Sequence, residues 1–395
     1  VPPRLPATVK ALGVVSLLTD ASSEMIYPLL PAFLTGTLKA GPAFLGAVEG
    51  TAEAAAALLK IASGALSDRL RRRKPLVVLG YGLSSLARPL IAFAAAPWHV
   101  LLIRVADRIG KGTRGAPRDA LVAQVTGPEQ RGRAFGFHRA MDHAGAFLGP
   151  LFATAVLAFT ADLRTVFALA AIPAALSVLV LWFGVREDAP AAAPPPSPDP
   201  AAAAQPKSFR VYLAILALFT LGNSSDAFLI LRAQEGGVSL AALPLLWTLH
   251  HLVKSLASAP AGSLSDRLGR RRAIVLGWGV YALAYAGFAR AGTPAEIWAL
   301  FAFYGLFHAF TEGPERALVA DLASAESRGR AFGLYHAVTG AMLLPASLLT
   351  GLLWQSFGAT AALYTGSALA CLAAALLVLL VREPAARVTF STPRT

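Results

Sequence analysis

Cysteine is almost absent from this chain: 395 residues include one, Cys371, beside only three methionines. A lone cysteine excludes an internal disulfide framework and any paired-cysteine metal motif. It sits in an apolar stretch and is expected to be a small buried residue. Charge is the second shortage, at 14% of residues, where a soluble domain carries about 25%. Apolar residues make up 56%, and the mean hydropathy is +0.58. Apolar runs near the roughly 20 residues that carry a helix across a bilayer recur from end to end. Together these exclude a soluble enzyme, a secreted disulfide scaffold and a free nucleic-acid-binding domain. Also missing are a Walker loop and a nucleophile elbow, so ATP-driven transport and catalysis have no support. The start, Val1-Pro2-Pro3-Arg4, shows no n-region and cleavage site, so the first apolar segment is expected to be a working span.

What is present is an all-α membrane protein of twelve spans. Their expected limits are 9–35, 43–66, 75–96, 99–122, 133–158, 163–185, 210–233, 239–262, 273–291, 295–320, 331–353 and 358–381. Between the sixth and seventh lies a stretch of almost pure Ala and Pro, whose composition cannot bury a core. The expected domains are a six-helix bundle over 1–185, a linker over 186–209 and a second bundle over 210–395.

The two bundles repeat each other. GALSDRLRRRK at 64–74 returns as GSLSDRLGRRR at 262–272, APRDALVAQV at 116–125 as GPERALVADL at 313–322, and RGRAFGFHRA at 131–140 as RGRAFGLYHA at 328–337. Three blocks in one register indicate a parallel duplication, an architecture associated with transporters. Lys and Arg set the orientation: about 21 fall on the side of the termini, and only Lys39, Arg164, Arg232 and Arg290 on the other. Both termini and the linker are therefore expected in the cytoplasm, in an inner (plasma) membrane. The net charge of +13 then reads as a topology signal with attraction to anionic lipid, with no need for nucleic acid.

The repeated loop resembles that of the major facilitator superfamily, G-x-[LA]-[SA]-D-R-x-G-R-[RK]. The second copy, with Gly262, Asp266, Arg267 and Gly269, fits fully; the first, with Gly64, Asp68 and Arg69, has Arg71 where the second glycine is usual. The resemblance implies a monomeric twelve-helix carrier of a small molecule, with no cofactor and a proton gradient as energy source. It implies a gating role for these loops, whose acids can pair with helix ends in one state and release them in another. Gly145-Ala-Phe-Leu-Gly149-Pro150 resembles the helix-packing motif of proton-coupled exporters in the superfamily, although Phe152-Ala153-Thr154 replace its later glycines. Arg104 stands where the superfamily has a fourth-span arginine, with Asp107, Arg108, Lys111 and Arg114 added.

Ions at membrane depth are costly and face cavities or each other. Asp20 with Glu24, Glu49 with Glu53, and His138 with Asp142 are i, i+4 pairs in spans 1, 2 and 5. Asp226 lies in Asn223-Ser-Ser-Asp, an echo of Ala21-Ser-Ser-Glu24. Proton-coupling candidates are Asp20, Glu24 and Asp142, then Glu49, Glu53 and Asp226. In the superfamily, spans 1, 4, 7 and 10 line the cavity. Adding span 8, the substrate-cavity candidates are Arg104, Asp107, Arg108, His250, His251, His308 and Glu312. Asp107 is expected to pair with Lys111. His99 and His336 are expected at the interface, and Trp98, Trp182 and Trp354 in the aromatic belt. No metal cofactor is expected. The first expectation for function is a proton antiporter exporting a small organic molecule. Alternatives are uptake of an organic anion or siderophore-like solute, which the cations of span 4 would suit, and export of a divalent metal, which the scattered carboxylates and imidazoles would suit.

Overall fold

The computed structural model describes residues 5–70, 72–127, 130–187, 205–323 and 328–381, the side chains of 61, 65, 68–70, 328 and 329 excepted. The side chains of the loop candidates Asp68 and Arg69, and most of the Ala/Pro segment, lie outside the described residues. The described residues contain no strand. Helix α1 starts as Ala7–Ile26 and runs on through short 3-10 and π turns to Thr37. Then follow α2 (Pro42–Leu70), α3 (Lys74–Ala87, continued as 3-10 to Phe93), α4 (Pro97–Gln124), α5 (Arg131–Thr160) and α6 (Leu163–Gly184). The second bundle has α7 (Lys207–Glu235, interrupted), α8 (Leu243–Leu268), α9 (Arg270–Arg290) and α10 (Pro294–Leu322). The last stretch, Arg328–Leu380, is two helices, α11 (328–357) and α12 (359–380), divided at Gly358 with φ 87°. All twelve expected spans are thus helical, and successive helices run in alternate directions. The face where α1 begins is called here the terminal face, and the other the far face.

Helix starts on the far face carry their own signals. Asp162 accepts from the Arg164 and Thr165 amides ahead of α6, and Thr293 with Glu296 forms a capping box on α10. His99 does the same for α4, its Nδ1 accepting from the Ala95 and Ala96 amides. Between α8 and α9 the loop glycine Gly269 adopts φ 96°, which L side chains rarely adopt. Among the described residues, seven helical stretches are long and apolar enough to cross a membrane by composition. Those falling short, α1, α2, α4 and α10, carry most of the buried ions.

Glycine governs how closely the helices approach. A Cβ on Gly149 of α5 would lie 3.1 Å from Ala21 backbone atoms of α1, and one on Gly145 would meet the Leu17 carbonyl and, at 3.0 Å, Asp20 Cβ. Across the bundles, Gly46 and Gly50 of α2 abut Ser347 and Leu344 of α11, and Gly351 of α11 abuts Pro42. Expected lipid anchors divide. Trp98 and Trp182 are more than half exposed, but Trp354 is 5% exposed, packed on Phe228 with Nε1 donating to Glu235. Trp354 is therefore an internal brace, not a belt residue. Cys371 is exposed on α12, because that helix packs on one side only; the expectation of burial fails.

The α1–α5 contact gives a first test. Gly149→Leu should separate the helices and lower the detergent melting temperature by several degrees, an overpacking cost of about 1–3 kcal/mol. Gly136→Leu on the same helix, with nothing within 4 Å of its Cβ, should be near neutral. Equal effects at both positions would reject the tight-contact account.

Candidate functional site

The site starts from a break. Helix α7 stops at Gly222 and resumes at Ala227, because Asn223, Ser224, Ser225 and Asp226 compete with the helix for backbone hydrogen bonds. The matching Ala21-Ser-Ser-Glu24 stays helical inside α1. Irregular backbone is tolerated at membrane depth where it lines a cavity. Here it does: a cavity of about 220 Å³ is bounded by residues 223–226, Tyr27, Glu49, Glu53, His308, Leu343 and Ser347. A second, of about 380 Å³, continues toward the terminal face, sharing Glu53 and Leu343. Its walls include Lys60 and Lys111 from one bundle and Gly333, His336 and Gly340 from the other. His336, expected at the interface, is therefore a cavity residue.

Acids and cations of the first bundle are mostly consumed by each other. Arg104 donates to Glu49 through Nε and Nη2, at 2.8–3.1 Å, and its Nη1 is 3.6 Å from Asp107. Arg108 pairs with Glu53 at 2.9 Å. Asp107 does not pair with Lys111 and does not face the cavity: it is 1% exposed and takes Arg88 Nε at 2.8 Å. Arg88 also donates to the Thr19 carbonyl at 2.8 Å. Arg88 is the residue that sequence reasoning missed. A lone arginine before Pro89 in an apolar span was the available signal. Arg114 is buried over the Tyr81 ring at 4.3 Å.

The other acids have neutral partners. Ser16 donates to Asp142, with His138 Nδ1 3.4 Å away. Tyr304 donates to Asp226 at 2.6 Å. Trp247 Nε1, from α8, donates to Glu24 of α1 at 2.8 Å, joining the two bundles. Glu49 and Tyr27 both meet the Ser225 hydroxyl at 3.3 Å, a second cross-bundle contact. Asp20 has no hydrogen bond or ion pair among the described residues. It lies one turn toward the terminal face from Glu24, over the Gly145 contact. In the second bundle, Lys254 bonds Glu312 at 2.5 Å, and His250 stacks between Trp247 and Tyr304. His251 packs edge-on against Trp247. Loop acid Asp266 is bonded by Arg270 within its own bundle, and Arg270 Nε is 3.9 Å from Asp321; a Cβ on Gly262 would meet nothing within 4 Å among the described residues.

Bundle contacts therefore concentrate from the far face to mid-depth, and cavities separate the bundles beyond. The chain matches the family model described as Major Facilitator Superfamily over residues 12–232 and 211–394. It is similar to an MFS-type transporter of Methanocaldococcus jannaschii, 35% identical over 386 residues, 95% of each chain. A shorter match, 31% identical over 144 residues and 36% of each chain, is to the multidrug resistance protein MdtH of Photorhabdus laumondii. Among solved structures, a bacterial homologue of the human lysosomal transporter Spinster superposes with a TM-score of 0.78 at 16% identity. That alignment covers 95% of this chain and 96% of the other, a likeness of fold.

Proposed function

Given that the chain belongs to the Major Facilitator Superfamily, we propose that it is a proton-coupled antiporter that exports a small organic molecule by alternating access. The termini and basic loops face the cytoplasm, so the cavities open inward and the glycine seam closes the outside. The bundles, over 1–185 and 210–395, rock about the seam. The observation that carries the proposal is the Glu24–Trp247 bond across the bundles at 2.8 Å. A carboxylate accepts more strongly than a carboxylic acid. Deprotonated Glu24 therefore holds the outside closed, and a proton arriving from outside loosens it. Asp20, one turn deeper and without a partner, hands the proton on toward the cytoplasmic cavity. Asp226 and the residues of the α7 break form the substrate floor. The resemblance to MdtH over a third of the chain favours export of an organic molecule.

Asp20→Asn and Glu24→Gln in proteoliposomes, with an internal pH dye, test this. Both variants should remain folded and exchange substrate. Each should lose about tenfold or more of the accumulation driven by a pH difference. Normal driven flux in both single variants and in the double variant would remove these acids from coupling.

A further inference from the structure

Three helices bring a carboxylate and two imidazoles to one point. One donor atom from each of Asp226, His250 and His308 lies within 4.8 Å of the other two. They belong to α7, α8 and α10, so no short sequence pattern produces the convergence. Asp226 and His308 each have a neighbour outside the cluster. Tyr304 donates to Asp226 Oδ1 at 2.6 Å, and His308 Nδ1 is 3.7 Å from Glu312 Oε1. The His250 ring is stacked between Trp247 and Tyr304. Among the described residues, one nitrogen of each histidine is left over. His250 Nδ1 and His308 Nε2 are buried without a hydrogen-bond partner, and His250 is 1% exposed. Packing alone does not compensate two unsatisfied buried nitrogens. Metal-ligating histidines show this pattern: the outer nitrogen is held by a carboxylate or backbone group, which aims the other at the ion.

We propose that Asp226, His250 and His308 form a binding site for a divalent transition-metal ion, which the carrier takes as cargo. One carboxylate with two imidazoles suits Zn²⁺, Co²⁺, Ni²⁺ or Fe²⁺, and the absence of thiolate and thioether from the cluster disfavours Cu⁺. The nearby Lys254 is already neutralised by Glu312 at 2.5 Å. Metal–ligand distances of about 2.0–2.2 Å require the three donors to draw together by about an ångström. An ion doing so would draw α7, α8 and α10 of the second bundle together. Asp226 and His308 also line the 220 Å³ cavity, so the coordination positions facing it stay open for entry and exit. The ion's passage rests on the alternating-access reading; its binding does not.

The test uses the full chain, stripped with a chelator and titrated in detergent with Zn²⁺ by calorimetry and with Co²⁺ by visible absorption. One ion per chain is expected. Asp226→Asn, His250→Ala and His308→Ala should each weaken it about tenfold or more, and His143→Ala, at an exposed position of α5, should leave it within about twofold. His308→Gln stands in if the alanine variant does not fold. A wild-type melting temperature raised by Zn²⁺ and restored by chelator reads the site without mutation. Zn²⁺ flux into dye-loaded proteoliposomes should vanish in the same three variants. No saturable binding, or binding indifferent to these replacements, overturns the site whatever the organic transport does. A bound ion that never crosses overturns it as cargo. A wild-type protein that shows no proton-driven organic export, with metal binding and flux intact, would instead count against the proposed function and leave the site standing.

Discussion

Arg104→Leu should cost the protein about 3–5 kcal/mol, the loss typical when one partner of a buried ion pair is removed. Glu49, 1% exposed, would lose the guanidinium that donates to both of its oxygens. Asp107 would keep Arg88 but lose its second cation, 3.6 Å away. Two acids and two arginines form a neutral chain, Glu49–Arg104–Asp107–Arg88, and any single removal leaves a net charge where water is scarce. Glu49→Leu should do similar damage from the other side. The double replacement, Glu49→Leu with Arg104→Leu, should recover most of the stability, because no charge is left stranded. Thermal unfolding of the three variants in detergent measures this. Additive losses in the double variant would show that the pair is not coupled.

Joining the bundles across the far face should stop transport. Ala43, at the start of α2, and Gln355, near the end of α11, meet where the Ala43 amide donates to Gln355 Oε1 at 3.3 Å. In a Cys371→Ser background, Ala43→Cys with Gln355→Cys can be joined by a short reducible bis-thiol linker. Linked protein should lose substrate flux about tenfold or more, since that seam must part for the outside to open. Reduction should restore it. Unchanged flux in protein shown by mass to be fully linked would rule out rocking about this seam.

The helices and their duplication were legible because hydropathy, loop charge and repeated blocks are local properties of the chain. Azimuth was not. Asp107 and Lys111 share a helix face by spacing, yet the winning partner for Asp107 comes from α3, where a planar guanidinium reaches the carboxylate and the Thr19 carbonyl together. Trp354 sits near a helix end, as a belt residue would, but the bundle closes over it and Glu235 takes its N–H. The break in α7 was readable in principle, since Asn and Asp flank its serines where α1 has Ala and Glu. Aromatic donors such as Trp247, Tyr304 and Tyr27 carried no signal at all. Aromatics are common in membrane helices, and only the packed bundle shows which of them reach an acid.

The ion pairs of the first bundle also bear on how the chain is made. Helix α4 carries Arg104, Asp107, Arg108, Lys111 and Arg114 and falls short of an apolar span by composition. Each such ion adds about 2.5–3.5 kcal/mol against entering hydrocarbon alone. Its partners Glu49, Glu53 and Arg88 lie upstream on α2 and α3, so they leave the ribosome first. During biogenesis α4 has no independent route into lipid. It must be kept beside the insertion machinery until α2 and α3 are at hand, and the three helices then enter as one assembly with Arg104, Arg108 and Asp107 already paired.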